Sequence, residues 1–264
     1  GVLILAALGS VRRHDQTQRK RIEEDRRAHE LEEAREFQMR MIPKEPPPNK
    51  LGLDISAGIK TATEVGGDYY DFFPENDSYY VAVGDATGHG MTAGMMVSIT
   101  KAGLYGQPPH IPPNEVTYSL NRTIKAIELG KNKMAISIAR FFKDRVEFTS
   151  AAMPPIYHYK SETEEVDEIL LEGLPLGSFK GETYSLLETN TKSGDAYVFI
   201  SDGLPEATNI SDKMLGYKAV LDCVKNNGKF SAQEIKQSLF DLGSAWLGGV
   251  QNQDDITIVV VKKK

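Results

Sequence analysis

A single cysteine, Cys223, in 264 residues leaves no material for a disulfide framework or a cysteine-rich zinc site. Its thiol reads as a small buried apolar group in a chain suited to a reducing compartment. Histidine is scarce as well: there are five, and none belongs to an evident Ser/His/Asp set. Long hydrophobic runs are missing. The apolar stretch Gly1 to Gly9 (GVLILAALG) is far short of the about 20 residues that span a bilayer. Positive charge is also in short supply. Nine basic against eight acidic residues give +1 over residues 1–42, which leaves −7 on residues 43–264 of a total of −6. That balance argues against a nucleic-acid-binding surface on the main body. No internal repeat or low-complexity tract is present.

The apolar start is succeeded by VRRHDQTQRKRI over residues 11–22, with five basic residues and one acid. Residues 1–10 read as the end of a transmembrane helix. The basic cluster places the chain beyond it on the cytoplasmic side, as the cytoplasmic domain of an inner-membrane protein. A tag remnant, a signal-peptide fragment or a short buried helix are the alternatives. From Arg12 to Met41 there is no glycine or proline, and Arg, Glu, Gln, Ala and Leu dominate, so residues 11–42 are expected to be a helical signalling linker. Ala28, Leu31, Ala34, Met41 and Ile42 outline a coiled-coil-like seam, broken at Arg35, through which two copies would pair as a homodimer; a solvated single helix is the alternative. Pro43, Pro46, Pro47 and Pro48 end the helix and mark the boundary of a domain over residues 43–264.

Within that domain, strands are expected at Leu51–Ile59, Tyr69–Phe73, Tyr79–Val83, Lys133–Phe142, Arg145–Ser150, Ile156–Tyr159, Thr183–Glu188, Ala196–Ile200 and Ile256–Val261. The second and third form a hairpin around Pro74 to Asp77. Helices are expected at Met91–Tyr105, Asn114–Leu129, Lys218–Lys225 and Ser231–Gly243. Strands crowd the middle and helices come in pairs without a regular βαβ alternation, which predicts an α+β sandwich with helices outside.

Four short stretches set an aspartate against glycine or at the mouth of an apolar strand: Gly66-Gly67-Asp68, Gly84-Asp85-Ala86-Thr87-Gly88-His89-Gly90, Ser201-Asp202-Gly203 and Gln253-Asp254-Asp255-Ile256. Each alone is an ordinary turn former. Together, at strand ends, their carboxylates can converge, and converging anions need a cation. Two carboxylates about 4 Å apart repel by roughly 4 kcal/mol at an effective dielectric near ~20. Magnesium or manganese, hard ions that take oxygen ligands, would relieve that repulsion.

The runs Gly66-Gly67-Asp68-Tyr69-Tyr70-Asp71-Phe72-Phe73 and Val83-Gly84-Asp85-Ala86-Thr87-Gly88-His89-Gly90 resemble the RsbU/SpoIIE branch of the metal-dependent (PPM) serine/threonine protein phosphatases. Ser150 to Ile156, Leu174-Pro175-Leu176-Gly177, Ser201 to Ala207 and Asp254-Asp255-Ile256-Thr257-Ile258 continue the likeness in order, across residues 34–264. The resemblance implies a PPM-type αββα sandwich, two packed antiparallel sheets flanked by helices, with two Mn²⁺ or Mg²⁺ ions at one end. Carried over by motif, Asp85 would bridge both ions, the Ala86 carbonyl would bind one, and Asp202 and Asp254 would hold the other. Asp68 would serve the metal site from the hairpin. Asp255, Gly67 and Gly203 would support the ligands from behind, and His89 would be a leaving-group acid or an outer water ligand, with a structural turn contact the commoner role of a Gly-His-Gly histidine. A metal-activated water would be the nucleophile, acting on phosphoserine or phosphothreonine of a protein partner, a STAS-type anti-sigma-factor antagonist. The arginine that more distant superfamily members place before the first metal motif has no counterpart; Lys60 is the nearest basic residue.

Other readings fit less well. Gly66-Gly67-Asp68 invites comparison with diguanylate cyclases, but that leaves Asp85, Asp202 and Asp254 unexplained. Gly84 to Gly90 is no P-loop, because no Gly-Lys-Ser/Thr comes after it. A nucleophilic Asp202 lacks an acid two residues on. A catalytically silent phosphatase-like sensor or scaffold would be expected to have lost one of the aspartates, and all are present.

Overall fold

The computed structural model describes residues 2–62, 66–88 and 90–264, with side chains from Gln16 onward. In order it contains α1 (Val2–Met41), β1 (Leu53–Lys60), β2 (Asp68–Pro74), β3 (Tyr79–Ala86), α2 (Met91–Tyr105), α3 (Pro113–Ile127), β4 (Met134–Phe141) and β5 (Arg145–Ala151). Next come β6 (Ile156–Lys160), β7 (Glu165–Ile169), β8 (Leu187–Asn190), β9 (Ala196–Ile200), α4 (Tyr217–Asn227), α5 (Ala232–Leu247) and β10 (Ile256–Lys263). The strands make two five-stranded sheets, ordered β1-β10-β9-β6-β7 and β2-β3-β4-β5-β8, and the named strand pairs are all antiparallel.

Three apolar layers hold the sandwich together. Phe72, Val81, Val83, Phe141, Phe148, Phe199, Val259 and Val261 fill the space between the sheets. Met96, Val97, Leu120 and Ile124 of α2 and α3 cover the outer face of β2-β3-β4-β5, and Val220, Val224, Ile235 and Leu239 of α4 and α5 cover the other sheet. Central strands are therefore buried on both faces, which is why β3 reads as a nearly unbroken apolar run. This is the helix-flanked double sheet that the sequence predicts.

Local chemistry sets the element ends. Pro113 opens α3, where its missing N–H has no intrahelical partner to lose. Ser231 and Glu234 form a reciprocal capping box at α5. That helix runs through Gly243 to Leu247, because packing of Leu242 and Trp246 on the third core outweighs a glycine's cost of about 1 kcal/mol. β7 is a strand without an expectation: its EVDEI sequence is a short, charged, mostly exposed edge, which discourages pairing with other chains. The strand expected at Thr183–Glu188 begins only at Leu187, since Tyr184 turns inward and donates its hydroxyl to the Leu174 carbonyl at 3.1 Å.

α1 is one continuous helix to Met41. Pairs such as Arg27–Glu23 (3.3 Å), Arg35–Glu32 (3.1 Å) and Arg40–Glu36 (3.3 Å) line its exposed faces and give modest helix support. Ile42, expected in a coiled-coil seam, instead enters the inter-sheet core, because the proline segment folds back over the hairpin. Tyr70 donates to the Pro43 carbonyl at 3.1 Å and Tyr79 to that of Pro47 at 3.0 Å. Among the described residues no helix is long and apolar enough to cross a membrane. The side chains of residues 1–10, on which the transmembrane expectation falls, lie outside the described residues.

Candidate metal centre

Pairing register brings the aspartates to one end of the sandwich. Asp68, the first residue of β2, faces Asp85 near the end of β3. In the other sheet, β9 ends just before Ser201 and Asp202, and β10 begins just after Asp254 and Asp255. The two strands are neighbours, with Ile258 opposite Ile200. Asp85, Ala86, Asp202, Asp254, Asp255 and Gly67 line a single cleft of about 280 Å³.

Two glycines permit this convergence. A Cβ on Gly67 would overlap the Ala86 carbonyl oxygen, and one on Gly203 would overlap the Asp255 carbonyl. Any other residue would force the metal-motif strands apart.

Asp255 is buried, and its carboxylate accepts the N–H of Ala62 at 2.8 Å and of Gly67 at 3.0 Å. It ties two loops to the start of β10 rather than projecting as a free ligand. Asp254 is exposed at the cleft mouth, with Oδ1 accepting the Asp255 N–H at 2.8 Å. Asp68, expected to reach the metal site, sits behind the cleft. Its Oδ2 accepts the hydroxyls of Ser201 (2.8 Å) and Thr257 (2.6 Å). His89 lies outside the described residues.

The electrostatics are one-sided. Burial pushes the Asp85 carboxyl well above the ordinary carboxylate range, and Asp202, Asp254 and Asp255 push it further. Asp202 is raised to about 6, by burial first and then by Asp254 and Glu206. Burial and Asp85 raise Asp68 despite its two hydroxyl donors. Asp255 is raised mainly by burial, against the opposing backbone donors. None of the ion pairs recorded among the described residues joins a lysine or arginine to these carboxylates; Arg35, which lines a small pocket with Asp68 and Asp255, is paired with Glu32 at 3.1 Å. Lys60, the nearest basic residue before the motif, points elsewhere, to the Ser244 hydroxyl at 3.0 Å. Carboxylates crowded at one half-buried cleft call for a counter-charge from outside the polypeptide. Three carboxylates and a carbonyl, all oxygen donors, suit a hard divalent ion.

One tighter cluster lies elsewhere. Glu75, Asp77 and His110 have ligand-type atoms within 4.8 Å of one another, a spacing that no trio of cleft carboxylates meets among the described residues. Glu75 is already engaged by Ser78 Oγ (2.6 Å), the His110 N–H (2.8 Å) and Arg140 Nη2 (3.3 Å). That set therefore works as a structural clasp.

Three supports of the cleft went unforeseen in the sequence. Ser201 and Thr257 hold Asp68, Lys133 braces Thr87, and Gln38 of α1 donates to the Gly66 carbonyl at 2.7 Å. Ser201 had a local signal, since it directly precedes Asp202; Gln38 had none.

Comparisons with known proteins agree with this geometry. The fold is that of the PP2C-type phosphatases. It superposes with TM-score 0.77 on the SiaA-PP2C domain of Pseudomonas aeruginosa, at 19% identity over 91% of this chain and 98% of that one. It also matches the PP2C domain and regulatory fragment of SpoIIE from Bacillus subtilis, with TM-score 0.67 at 20% identity over 80% of this chain and 63% of that one. The family model for Stage II sporulation protein E (SpoIIE) matches residues 75–264, and the chain belongs to that family. Phosphoserine phosphatase RsbU of Bacillus subtilis (strain 168) is 27% identical over 220 residues, covering 82% of this chain. The chain spans 65% of that relative's length.

Proposed function

We propose that this chain is a metal-dependent protein serine/threonine phosphatase that removes phosphate from phosphoserine or phosphothreonine of a protein partner in bacterial signalling. The observation that carries this is the convergence of Asp85, the Ala86 carbonyl, Asp202 and Asp254 on one cleft that has no lysine or arginine among its described lining residues. The RsbU relative, named a phosphoserine phosphatase, and the solved RsbX structure in complex with magnesium support the same reading.

Asp85, Ala86, Asp202 and Asp254 would hold two Mn²⁺ or Mg²⁺ ions, which when bound supply water activation and neutralise phosphoryl charge. The protein's own part is positional. Asp255 fixes the backbone at Ala62 and Gly67, so the cleft floor is set before substrate arrives. Asp68 locks Ser201 to Thr257 and so holds the Asp202 and Asp254 loops in register. The bare Gly67 and Gly88 leave the rim open to a phosphoryl group. With no arginine or lysine among the described residues that line the cleft, substrate selectivity falls to surfaces outside it.

The partner in this reading is a STAS-type anti-sigma-factor antagonist, in keeping with the RsbU likeness. α1 would act as the input. Gln38 and Ile42 join its last turns to the Gly66 loop and the core, so a change in its pairing within a homodimer would reach the metal end. The setting would be the cytoplasmic side of a membrane-tethered protein.

The deciding experiment is phosphate release from an aryl phosphate and from a phosphoserine protein, with Mn²⁺ and with chelator, for wild type and Asp85→Asn. Metal-dependent turnover lost on substitution is expected. Mn²⁺ binding without turnover in any dimeric or full-length form would instead favour a silent sensor or scaffold.

A further inference from the structure

The segment between Asp202 and α4 forms a small stiff hairpin beside the cleft. Leu215 donates its N–H to the Ala207 carbonyl at 3.0 Å and Asn209 to that of Lys213 at 3.1 Å, while Thr208 and Met214 pair as an antiparallel bridge. The Asn209 side chain accepts the N–H of Ser211 (2.9 Å) and of Lys213 (3.1 Å), closing the tip. The root is pinned by Glu206 N–H to the Asp202 carbonyl at 2.9 Å and Gly216 N–H to that of Pro205 at 2.7 Å. From outside, the Trp246 indole N–H donates to the Lys213 carbonyl at 3.0 Å, and Leu215 is buried in the third core.

This well-bonded hairpin shows apolar side chains to solvent. Ile210 is 89% exposed, more than any other large apolar residue among those described, and Met214 is 62% exposed. A single exposed apolar residue needs no explanation. A rigid tip presenting two of them does, because a preorganised element loses little entropy when it is covered.

We propose that the Ala207–Leu215 hairpin is the docking element for a folded phosphoserine protein, with Ile210 and Met214 seated on an apolar patch next to its phosphoserine. The inference rests on the phosphatase reading and names how that site selects its substrate. Asp202 both lines the cleft and roots the hairpin, so a protein surface laid over the cleft lies against the hairpin too. The hairpin arm is roughly 10 Å long at about 3.3 Å per residue, short against the roughly 28 Å width of a patch of about 800 Å², one side of a standard interface. The described lining of the cleft has no basic, aromatic or large apolar side chain, whereas apolar anchors beside it discriminate a folded partner from a bare phosphopeptide.

The test compares wild type with Ile210→Asp/Met214→Asp and the milder Ile210→Ser on three substrates. These are a serine-phosphorylated STAS-domain protein, a peptide excised around its phosphoserine, and p-nitrophenyl phosphate. The expected result is a tenfold or larger loss of kcat/KM on the folded protein, mainly through KM, with the other two substrates unchanged. Unchanged activity on the folded protein overturns the proposal, as does a wild type that treats protein and peptide alike. Equal losses on all three substrates also overturn it, since the hairpin would then merely brace Asp202. If no form turns anything over, the phosphatase reading fails, and docking is read from binding of the unhydrolysed phosphoprotein. A tenfold weaker Kd in the variants supports the docking surface; an equal Kd sinks it.

Discussion

Charged groups are buried at both ends of the sandwich, on opposite terms. At the end carrying the β2–β3 turn, burial would raise the Glu75 carboxyl, but the Ser78 hydroxyl, the His110 N–H and the nearby His110 and Arg140 more than offset it. The result is a carboxylate held below its ordinary range. Midway along the same hairpin, Asp71 is paired with Lys101 and takes the Tyr69 hydroxyl at 2.7 Å. At the other end the charged groups that act on Asp85, among the described residues, are the further carboxylates Asp202, Asp254 and Asp255. Charge that serves the fold is neutralised within the fold. Charge left unneutralised is held for something that arrives from outside, and the stability it costs marks the site.

Asp85→Asn should break that contrast most visibly. Removing the group that touches both proposed ions should lower Mn²⁺-dependent phosphate release by about 10³-fold or more, given that metal assistance contributes several kcal/mol. Measured in chelator, the same variant should melt no lower than wild type, since the substitution removes a carboxyl crowded by Asp202, Asp254 and Asp255. A variant that lost both activity and metal-free stability would make Asp85 an ordinary structural residue.

Lys101→Met is the converse. It strands the buried Asp71, and breaking a buried pair from one side costs about 3–5 kcal/mol, partly eased here by the Tyr69 hydroxyl. Urea unfolding should show that loss, while pairing it with Asp71→Asn should recover part of it. Less than about 1 kcal/mol would mean that the pair is solvent-screened and the contrast between the ends is overstated. Gln38→Ala is smaller again. It leaves the buried Gly66 carbonyl without its donor, a loss of about 1–3 kcal/mol. If α1 is the input to the site, the Mn²⁺ concentration for half-maximal turnover should rise with it; a pure stability change leaves that concentration alone.

The acidic end was legible in the sequence because each aspartate stood at a strand end beside a glycine or an apolar run, and strand ends of paired sheets meet at the rim. The sandwich was legible for a similar reason, in the near-continuous apolar runs of β3, β9 and β10. What the sequence hid was partnership over distance. Nothing near Asp68 in the sequence shows that Ser201 and Thr257, 133 and 189 residues away, donate to its Oδ2. Ile42 fits a helical seam until the proline segment turns it into the core. β7 was missed because an edge strand facing water on most positions has no apolar alternation to show.

The smallest effect is the dependence of metal-free stability on pH, where the acidic cleft and a buried histidine pull in opposite directions. His158 is buried and stacked on Tyr197 at 4.3 Å, and burial lowers its pKa although Asp195 opposes the shift. As pH falls through about 6.5, the ordinary value for histidine, the unfolded chain takes up a proton before the folded one, so His158 drains stability. Asp202 acts the other way. Its folded pKa of about 6 exceeds the ordinary aspartate value of about 3.9, so between those limits the folded chain binds more protons and gains stability as pH falls. Asp85, raised in the same sense, adds to that gain. In chelator, His158→Gln should therefore turn the stability profile from pH 7 to 5 upward toward acid, and Asp85→Asn should turn it downward, each by no more than about 1.4 kcal/mol per pH unit. Saturating Mn²⁺ should abolish the cleft's contribution and leave that of His158, because a bound cation keeps the carboxylates ionised across the window. A profile insensitive to Mn²⁺ would mean that the cleft carboxylates are neutralised from within the fold after all, and the difference between the two ends would disappear.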